Sequence, residues 1–275
     1  MRSILITAAF ASLTLASHAQ AENDESGWQF TLGAGSLYSP SYEGDDDYDL
    51  KILPNIQVKY GDRFFASVQE GLGYNAFRSD GWSAGPIGRI KFSRKEDGDQ
   101  TFTVSGSKTD DLIGLGDIGT SLELGGFLRY RNGPFSAGAE LRQAVTGHEG
   151  LVFDLNANVS GRIATFGPPV FWSLGPRIKL VDDTFNGAYF GVTAAQAAAS
   201  GLPEYTAGGG VQSYGVGAFA FLPLDRAARW SLVAFSGYDR LAGDAGNAPL
   251  VQLRGDADQF STGIFLSYTF GQSRN

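Results

Sequence analysis

The chain has 275 residues, carries a formal net charge of −8 and contains no cysteine. The lack of cysteine excludes a disulfide framework, a thiolate nucleophile and an acylated lipoprotein cysteine, and the acidic balance argues against nucleic-acid binding. Glycine (38 residues) and aromatic residues (13%) are both abundant, which is typical of an all-β chain.

The N-terminus has the pattern of a secretory signal peptide. Arg2 precedes an apolar run over 4–16, and Ala19-Gln20-Ala21 fits the small-residue cleavage site. We therefore predict that 1–21 is a cleaved signal and that 22–275 is the mature, exported domain.

Apolar and polar residues alternate along most of the mature chain, as they do in strands with one apolar face. Gly61-Asp62 and Asn132-Gly133 read as tight turns between strands. The segment 101–107 is the weakest strand, and without it the count falls from twelve to ten. The twelve predicted strands lie at about 28–37, 48–60, 64–75, 82–93, 101–107, 121–131, 135–146, 151–163, 170–180, 207–222, 230–241 and 258–270.

The strand lengths and the loops indicate a membrane barrel. A tilted strand of about 12 residues spans roughly 30 Å, which is enough for the apolar band of an outer-membrane barrel. If the first strand starts in the periplasm, the long connections such as 38–47, 182–206 and 242–257 fall outside the cell. The segments 61–62, 95–100, 132–133, 167–169 and 223–229 then fall in the periplasm, and Trp82 starts at the outer end. We predict a single antiparallel transmembrane β-barrel of twelve strands (alternatively ten) in the outer membrane of a Gram-negative bacterium.

Several short motifs resemble one family of outer-membrane proteins. They are SPSYEG at 39–44, GDRFF at 61–65, YFGV at 189–192, YDRLAGDA at 238–245 and SYTF at 267–270. In this order they make the chain similar to the MltA-interacting protein (MipA)/OmpV family. The resemblance implies a scaffold that links a murein-degrading lytic transglycosylase to a murein synthase. Other members of the family are described as outer-membrane proteins that let small molecules pass. It brings no catalytic residues, and it implies that Tyr268 and Phe270 form the signal read by the barrel-assembly machinery.

Three further patterns are candidates for chemistry. Five carboxylates in the first long loop (Glu43, Asp45, Asp46, Asp47 and Asp49) could hold a divalent cation that bridges to lipopolysaccharide, or could form a solvated acidic loop. The G-x-G-x-x-G match at 114–119 lacks a following helix, so we do not predict nucleotide binding. His148 is the single histidine of the mature chain, and an outer-membrane acyl hydrolase would need a serine beside it.

The polar face of the predicted strands carries many charges. An anion-attracting pore and a structural ladder of ion pairs both fit this composition. The residues predicted to line the lumen are Arg89, Lys91, Glu123, Arg129, Arg131, Glu140, Arg142, Asp154, Arg162, Arg177 and Lys179.

The sequence therefore predicts a non-enzymatic outer-membrane barrel without a cofactor. The resemblance implies that it serves as a murein scaffold, and a diffusion channel for small, anionic solutes is the alternative. The expected partners are outer-membrane lipid, lipopolysaccharide and the barrel-assembly machinery. The resemblance adds a lytic transglycosylase and a murein synthase, and nucleic acid is not expected.

Overall fold

The computed structural model describes residues 27–98, 102–106, 109–165 and 167–271. The predicted signal peptide, 1–21, lies outside the described residues. Within the described part of the chain, no helix is both long and apolar enough to cross a membrane.

Fourteen strands and four short helices make up the described fold. The strands are β1 (Trp28–Pro40), β2 (Tyr48–Tyr60), β3 (Phe64–Ser67), β4 (Gly71–Tyr74), β5 (Phe77–Ser79), β6 (Trp82–Lys91), β7 (Thr103–Ser105), β8 (Ser121–Asn132), β9 (Phe135–Ala144), β10 (Leu151–Ile163), β11 (Val170–Val181), β12 (Gly210–Pro223), β13 (Trp230–Leu241) and β14 (Asp258–Gly271). The helices are α1 (Asp183–Phe190), α2 (Ala194–Ser200), α3 (Gly243–Gly246) and α4 (Pro249–Arg254).

The strands form one antiparallel sheet that closes on itself. β1 pairs with β2 along one edge and with β14 along the other, so the first and last strands meet. β4 and β5 together form one of the twelve strands of the barrel wall, since both pair with β6. β7 adds only a short patch to β2. The predicted twelve-stranded antiparallel barrel is confirmed.

The alternation of side chains fits a barrel in lipid. Along β1, Trp28, Phe30 and Leu32 point outward and are 37–50% exposed, while the residues between them are less exposed. A closed barrel leaves no unpaired edge in the hydrocarbon, so apolar side chains can face lipid on every strand.

The twelve strands differ from the predicted set at two places. The segment 64–75 is a hairpin rather than one strand: β3 turns back through 68–70 into β4. The Ser67 hydroxyl accepts the N–H of Glu70 at 2.8 Å, and Gly71 has a φ of +79°, which favours glycine. The apolar residues Phe64, Ala66 and Val68 before the turn and Leu72 and Tyr74 after it share one period, so the segment reads as a single strand, and Glu70 is the one residue that breaks the pattern. The second difference is 101–107, of which only 103–105 is a strand, outside the main wall.

This extra hairpin reverses the direction of the next strand. Trp82 pairs with Tyr130 beside the Asn132-Gly133 turn, and Lys91 pairs with Ser121 at the opposite end. By the rule that short turns face the periplasm, Trp82 therefore lies at the periplasmic end. The segment 95–100 was predicted to be periplasmic, and this prediction is wrong for its described part, 95–98, which lies on the extracellular side.

Two groups of buried apolar side chains point inward, and their phenylalanines lie in the middle or the periplasmic part of their strands. One comprises Phe65, Ile87 and Phe127. The other comprises Leu37, Leu53, Phe219, Phe221, Val233 and Phe265, with Phe171 and Phe235 packed against it. Together we call them the phenylalanine layer. It occupies space that a wide porin would leave to water.

The extracellular end is covered by packed loops and helices, here called the cap. Asp182 caps α1 by accepting the N–H of Phe185, and Thr193 and Gln196 form a capping box on α2. Phe185 and Phe190 of α1 are each 1% exposed, since they pack against residues of β10, β11, α3 and α4. The cap consists of 41–47, 92–98, 109–120, 145–150, 182–209 and 242–257.

Candidate functional site

The lumen between the phenylalanine layer and the cap contains an ion network centred on Arg142 in β9. Arg142 Nε lies 2.8 Å from Glu123 Oε2, Nη1 lies 2.8 Å from Glu140 Oε2, and Nη2 lies 2.5 Å from Asp154 Oδ2. The Arg142 side chain is 5% exposed. Three carboxylates therefore compensate one buried guanidinium, which uses all three of its nitrogens.

Glu140 extends the network to β6 and β8. Its carboxylate lies 2.8 Å from Arg89 Nη2 and 3.4 Å from Arg129 Nη2. The Arg129 guanidinium also lies over the rings of Phe65 and Phe127, at 5.0 and 4.6 Å from their centroids. This cation–π contact joins the ion network to the phenylalanine layer.

A second ion pair crosses from β11 to β13. Arg177 Nε donates to Asp239 Oδ1 at 2.7 Å, and Nη2 donates to Oδ2. A Cβ at Gly237 would lie 2.3 Å from Arg177 Nη2, so glycine at this position makes room for the guanidinium.

Glu43, in the first loop of the cap, points into the lumen. Its two oxygens each lie 3.3 Å from a lysine ammonium, that of Lys91 and that of Lys179. Burial raises the pKa of this carboxyl, but the two lysines outweigh burial and lower the pKa to about 2. Lys91 Nζ also lies 4.4 Å from the ring centroid of Tyr189 and 5.0 Å from that of Phe185, so α1 sits directly over these charges.

The lumen residues predicted from sequence fall into two groups. The structure brings eight of them around one cavity of about 160 Å³: Arg89, Lys91, Glu123, Glu140, Arg142, Asp154, Arg177 and Lys179. Arg129, Arg131 and Arg162 lie nearer the periplasmic end of their strands. Sequence reasoning missed Asp239, which also lines the cavity. Tyr238 points outward, so strict alternation along β13 predicts that its neighbour Asp239 points inward.

His148 lies buried in the cap, 3% exposed, beneath α1. Its Nδ1 accepts the N–H of Gly150 at 3.1 Å, and its Nε2 lies 3.1 Å from Glu123 Oε1. The nearby Ser121 hydroxyl accepts the backbone N–H of His148 rather than meeting the ring. Both ring nitrogens are therefore engaged in holding the cap to the ion network.

The acidic first loop does not act as one solvated unit. Glu43 pairs with lysines, and Asp49 lies 3.9 Å from Lys51. Asp46 and Asp47 are exposed, whereas Asp45 is 0% exposed. Burial raises the pKa of Asp45 to about 7, with Asp111 and Asp46 adding to the increase and the N–H of Asp47 opposing it. Asp111 comes from another part of the cap, and no local sequence pattern indicated that it would join this loop.

The predicted assembly residues lie in an outward aromatic band near the periplasmic end. Tyr268 packs against Trp230 with ring centroids 5.0 Å apart, and Phe270 stacks on Phe30 at 5.7 Å. Such bands mark the membrane–water interface. Trp28 and Trp82 lie at the same end.

Solved structures with a similar fold are outer-membrane barrels. An outer-membrane channel from Pseudomonas putida F1 is 12% identical, with a TM-score of 0.44, over 92% of this chain and 98% of that one. The porin NanC is 8% identical, with a TM-score of 0.39, over 87% and 98%. The outer-membrane protein OprD from Pseudomonas aeruginosa is 10% identical, with a TM-score of 0.31, over 93% and 96%.

No curated protein matches the chain significantly. The model of one protein family, described as MltA-interacting protein MipA, matches residues 32–270. That match covers nearly the whole barrel, from β1 to the penultimate residue of β14, and the chain is a member of the MipA family of outer-membrane proteins.

Proposed function

We propose that the protein is a non-enzymatic anchor in the outer membrane whose periplasmic end holds murein-remodelling enzymes. The observation that carries this proposal is the occupied lumen. The ion network of Arg142, the phenylalanine layer and the cap together fill or cover the barrel interior. A barrel built this way is suited to presenting a rigid surface.

The family description supplies the partner class. The family is described as MltA-interacting, and the resemblance described above implies that this partner is a murein-degrading lytic transglycosylase; a scaffold would also hold a murein synthase. Both partners would act in the periplasm, so the docking surface would be the turns at that end. We call these turns the periplasmic rim; its described parts are 61–63, 80–81, 133–134, 164–165, 167–169 and 224–229.

The rim is small but well ordered. Asp225 accepts the N–H groups of Ala227, Arg229 and Trp230 at 2.8, 3.3 and 2.6 Å, which fixes the turn at 224–229. Leu224 in this turn is 48% exposed. A stable interface buries roughly 800 Å² on each partner, so a partner must span several turns at once.

A site-specific photo-crosslink in living cells tests the anchor. A photoreactive residue replaces Arg226 on the rim, and the matched control replaces the exposed Glu204 in the cap. We expect a lytic transglycosylase or a murein synthase to be captured from position 226 and not from 204. Equal capture at both positions, or capture of assembly machinery alone, would refute the docking surface.

A gated channel is the second candidate, and the charged cavity favours it. Five basic side chains (Arg89, Lys91, Arg142, Arg177 and Lys179) and four acidic ones (Glu123, Glu140, Asp154 and Asp239) line it. Passage would require α1 to leave Lys91 and the ion network to open. If a channel forms, reversing the charges of Arg129 and Arg177 should change its ion selectivity; unchanged selectivity would remove these residues from the conduction path.

The remaining contacts follow from the same arrangement. The outward aromatic band would lie at the periplasmic interface of the lipid, the lipid-facing residues nearer the cap would meet lipopolysaccharide, and Tyr268 with Phe270 would be read by the assembly machinery. His148 would be structural, because both ring nitrogens are engaged; an acyl-hydrolase activity lost in His148→Ala would contradict this.

A further inference from the structure

Three carboxylates from two separate parts of the cap converge at one point. Asp45 and Asp46 belong to the first loop, and Asp111 belongs to the segment that follows β7. One carboxylate oxygen of each lies within 4.8 Å of the other two. None of the ion pairs among the described residues involves these three side chains.

Asp45 supplies an independent sign that a ligand belongs here. The residue is 0% exposed, and its Oδ2 is buried without a hydrogen-bond partner among the described residues. Its Oδ1 accepts the N–H of Asp47, at 3.1 Å. A buried carboxylate without compensation is costly, and buried charges are paired or coordinate metals.

The backbone on both sides of the cluster is held in place by other contacts. Gln259 accepts the N–H of Gly44 at 3.0 Å and donates to the carbonyl of Asp45 at 3.1 Å. Arg254 donates from Nη1 to the carbonyl of Asp111 at 2.7 Å, so this nearby cation binds backbone oxygens rather than the three carboxylates. These contacts fix the backbone of Asp45 and Asp111 side by side. The Asp111 carboxylate accepts the neutral Thr109 hydroxyl at 3.0 Å, and no ion pair among the described residues compensates the charge of the three carboxylates.

We propose that Asp45, Asp46 and Asp111 bind a divalent cation of the Ca²⁺ type, which clamps the first loop to the 109–120 segment of the cap. Ca²⁺ lies 2.3–2.6 Å from its oxygen ligands, so two ligands of one ion can be up to roughly 5 Å apart, which matches the spacing found here. Asp46 is exposed, so the ion reaches the site from the extracellular side and completes its coordination with water.

The proposal divides the acidic loop into separate roles. Glu43 faces the lumen lysines and Asp49 faces Lys51, so neither is free to serve the ion. Asp45 and Asp46 serve the ion, with Asp111 as the third ligand. The clamp would hold closed the part of the cap that covers the ion network.

Calcium titration of the full mature chain tests the site. The chain is refolded into detergent micelles without lipopolysaccharide, since lipopolysaccharide phosphates bind Ca²⁺ themselves. We expect one Ca²⁺ per chain by isothermal titration calorimetry, with a dissociation constant of about 0.1–1 mM, as in extracellular modules. We also expect a higher melting temperature in millimolar CaCl₂ than in EDTA.

Two variants and a matched control separate the site from general charge effects. Asp111→Asn should weaken binding at least 10-fold, and Asp46→Asn, which alters an exposed side chain, should weaken it without affecting folding. Asp110→Asn, an exposed neighbour outside the cluster, should bind like the unmodified chain. The absence of binding heat together with equal melting temperatures in CaCl₂ and EDTA would overturn the proposal. Calcium responses in Asp46→Asn and Asp111→Asn equal to that of the unmodified chain would also overturn it.

Discussion

Replacing Arg142 by methionine should destabilise the barrel strongly, because it removes the centre of the ion network. Removing one partner of a buried ion pair costs about 3–5 kcal/mol. In this variant Glu123 is still in contact with His148, and Glu140 is still paired with Arg89. The Asp154 side chain is 31% exposed and can hydrate. We therefore expect the lower end of the range, about 3 kcal/mol in the free energy of unfolding.

Urea unfolding in lipid vesicles measures this loss, with tryptophan fluorescence as the signal. Arg162→Met is the matched control: Arg162 is exposed at the periplasmic end, so its loss should change the free energy of unfolding by less than about 0.5 kcal/mol. The double variant Arg142→Met/Asp154→Asn should regain a small part of this loss, since it removes a half-buried carboxylate that has lost its partner. If the free energy of unfolding of Arg142→Met stays within about 1 kcal/mol of that of the unmodified chain, the ion network does not stabilise the barrel.

Further predictions concern the cap and the topology. Because lysines lower the pKa of Glu43 from 4.5 to about 2, its contribution of about 3 kcal/mol is complete above pH 4.5 and disappears as the pH falls towards 2. In the Glu43→Gln variant, the free energy of unfolding should fall less between pH 4.5 and pH 2. The same fall as in the unmodified chain would contradict the pairing of Glu43 with the two lysines. A single cysteine at Asp97 should react with an impermeant maleimide on intact cells, whereas one at Arg226 should react only after the outer membrane is opened; the reverse would refute the assigned direction of β6. In thermal melts, Gly187→Ala in α1 should stabilise by about 0.5–1 kcal/mol, since a Cβ there meets nothing within 4 Å. Gly175→Ala should destabilise the barrel, since its Cβ would lie 1.8 Å from a backbone oxygen of β10. An unchanged melting temperature would show that β10 and β11 can move apart at this point.

The wall of the barrel could be predicted from sequence because alternation and turn chemistry are local. Asn132-Gly133 forms the predicted hairpin turn, with Gly133 at a φ of +56°. The turn at 68–70 escaped prediction since apolar residues on both of its sides keep the same period. That single miss moved 95–98 to the wrong side of the membrane, because each added strand reverses the direction of the next.

The interior was harder to predict, since it depends on contacts between distant parts of the chain. Alternation identifies which residues face inward but not how far they reach across the lumen. Glu43 meets Lys179 across 136 residues of sequence, and Asp45 meets Asp111 across 66. The inward phenylalanines were missed because phenylalanine on a barrel strand reads as a lipid-facing residue until its register is known.

Conductance of the unmodified chain in a planar lipid bilayer tests the central claim, that the barrel is closed and serves as an anchor. Folding of the same sample is first verified by its shifted migration on an unheated SDS gel. We expect no steady current, because the ion network, the phenylalanine layer and the cap occupy the path. A stable open-channel current from the unmodified chain would contradict the anchor and favour the channel.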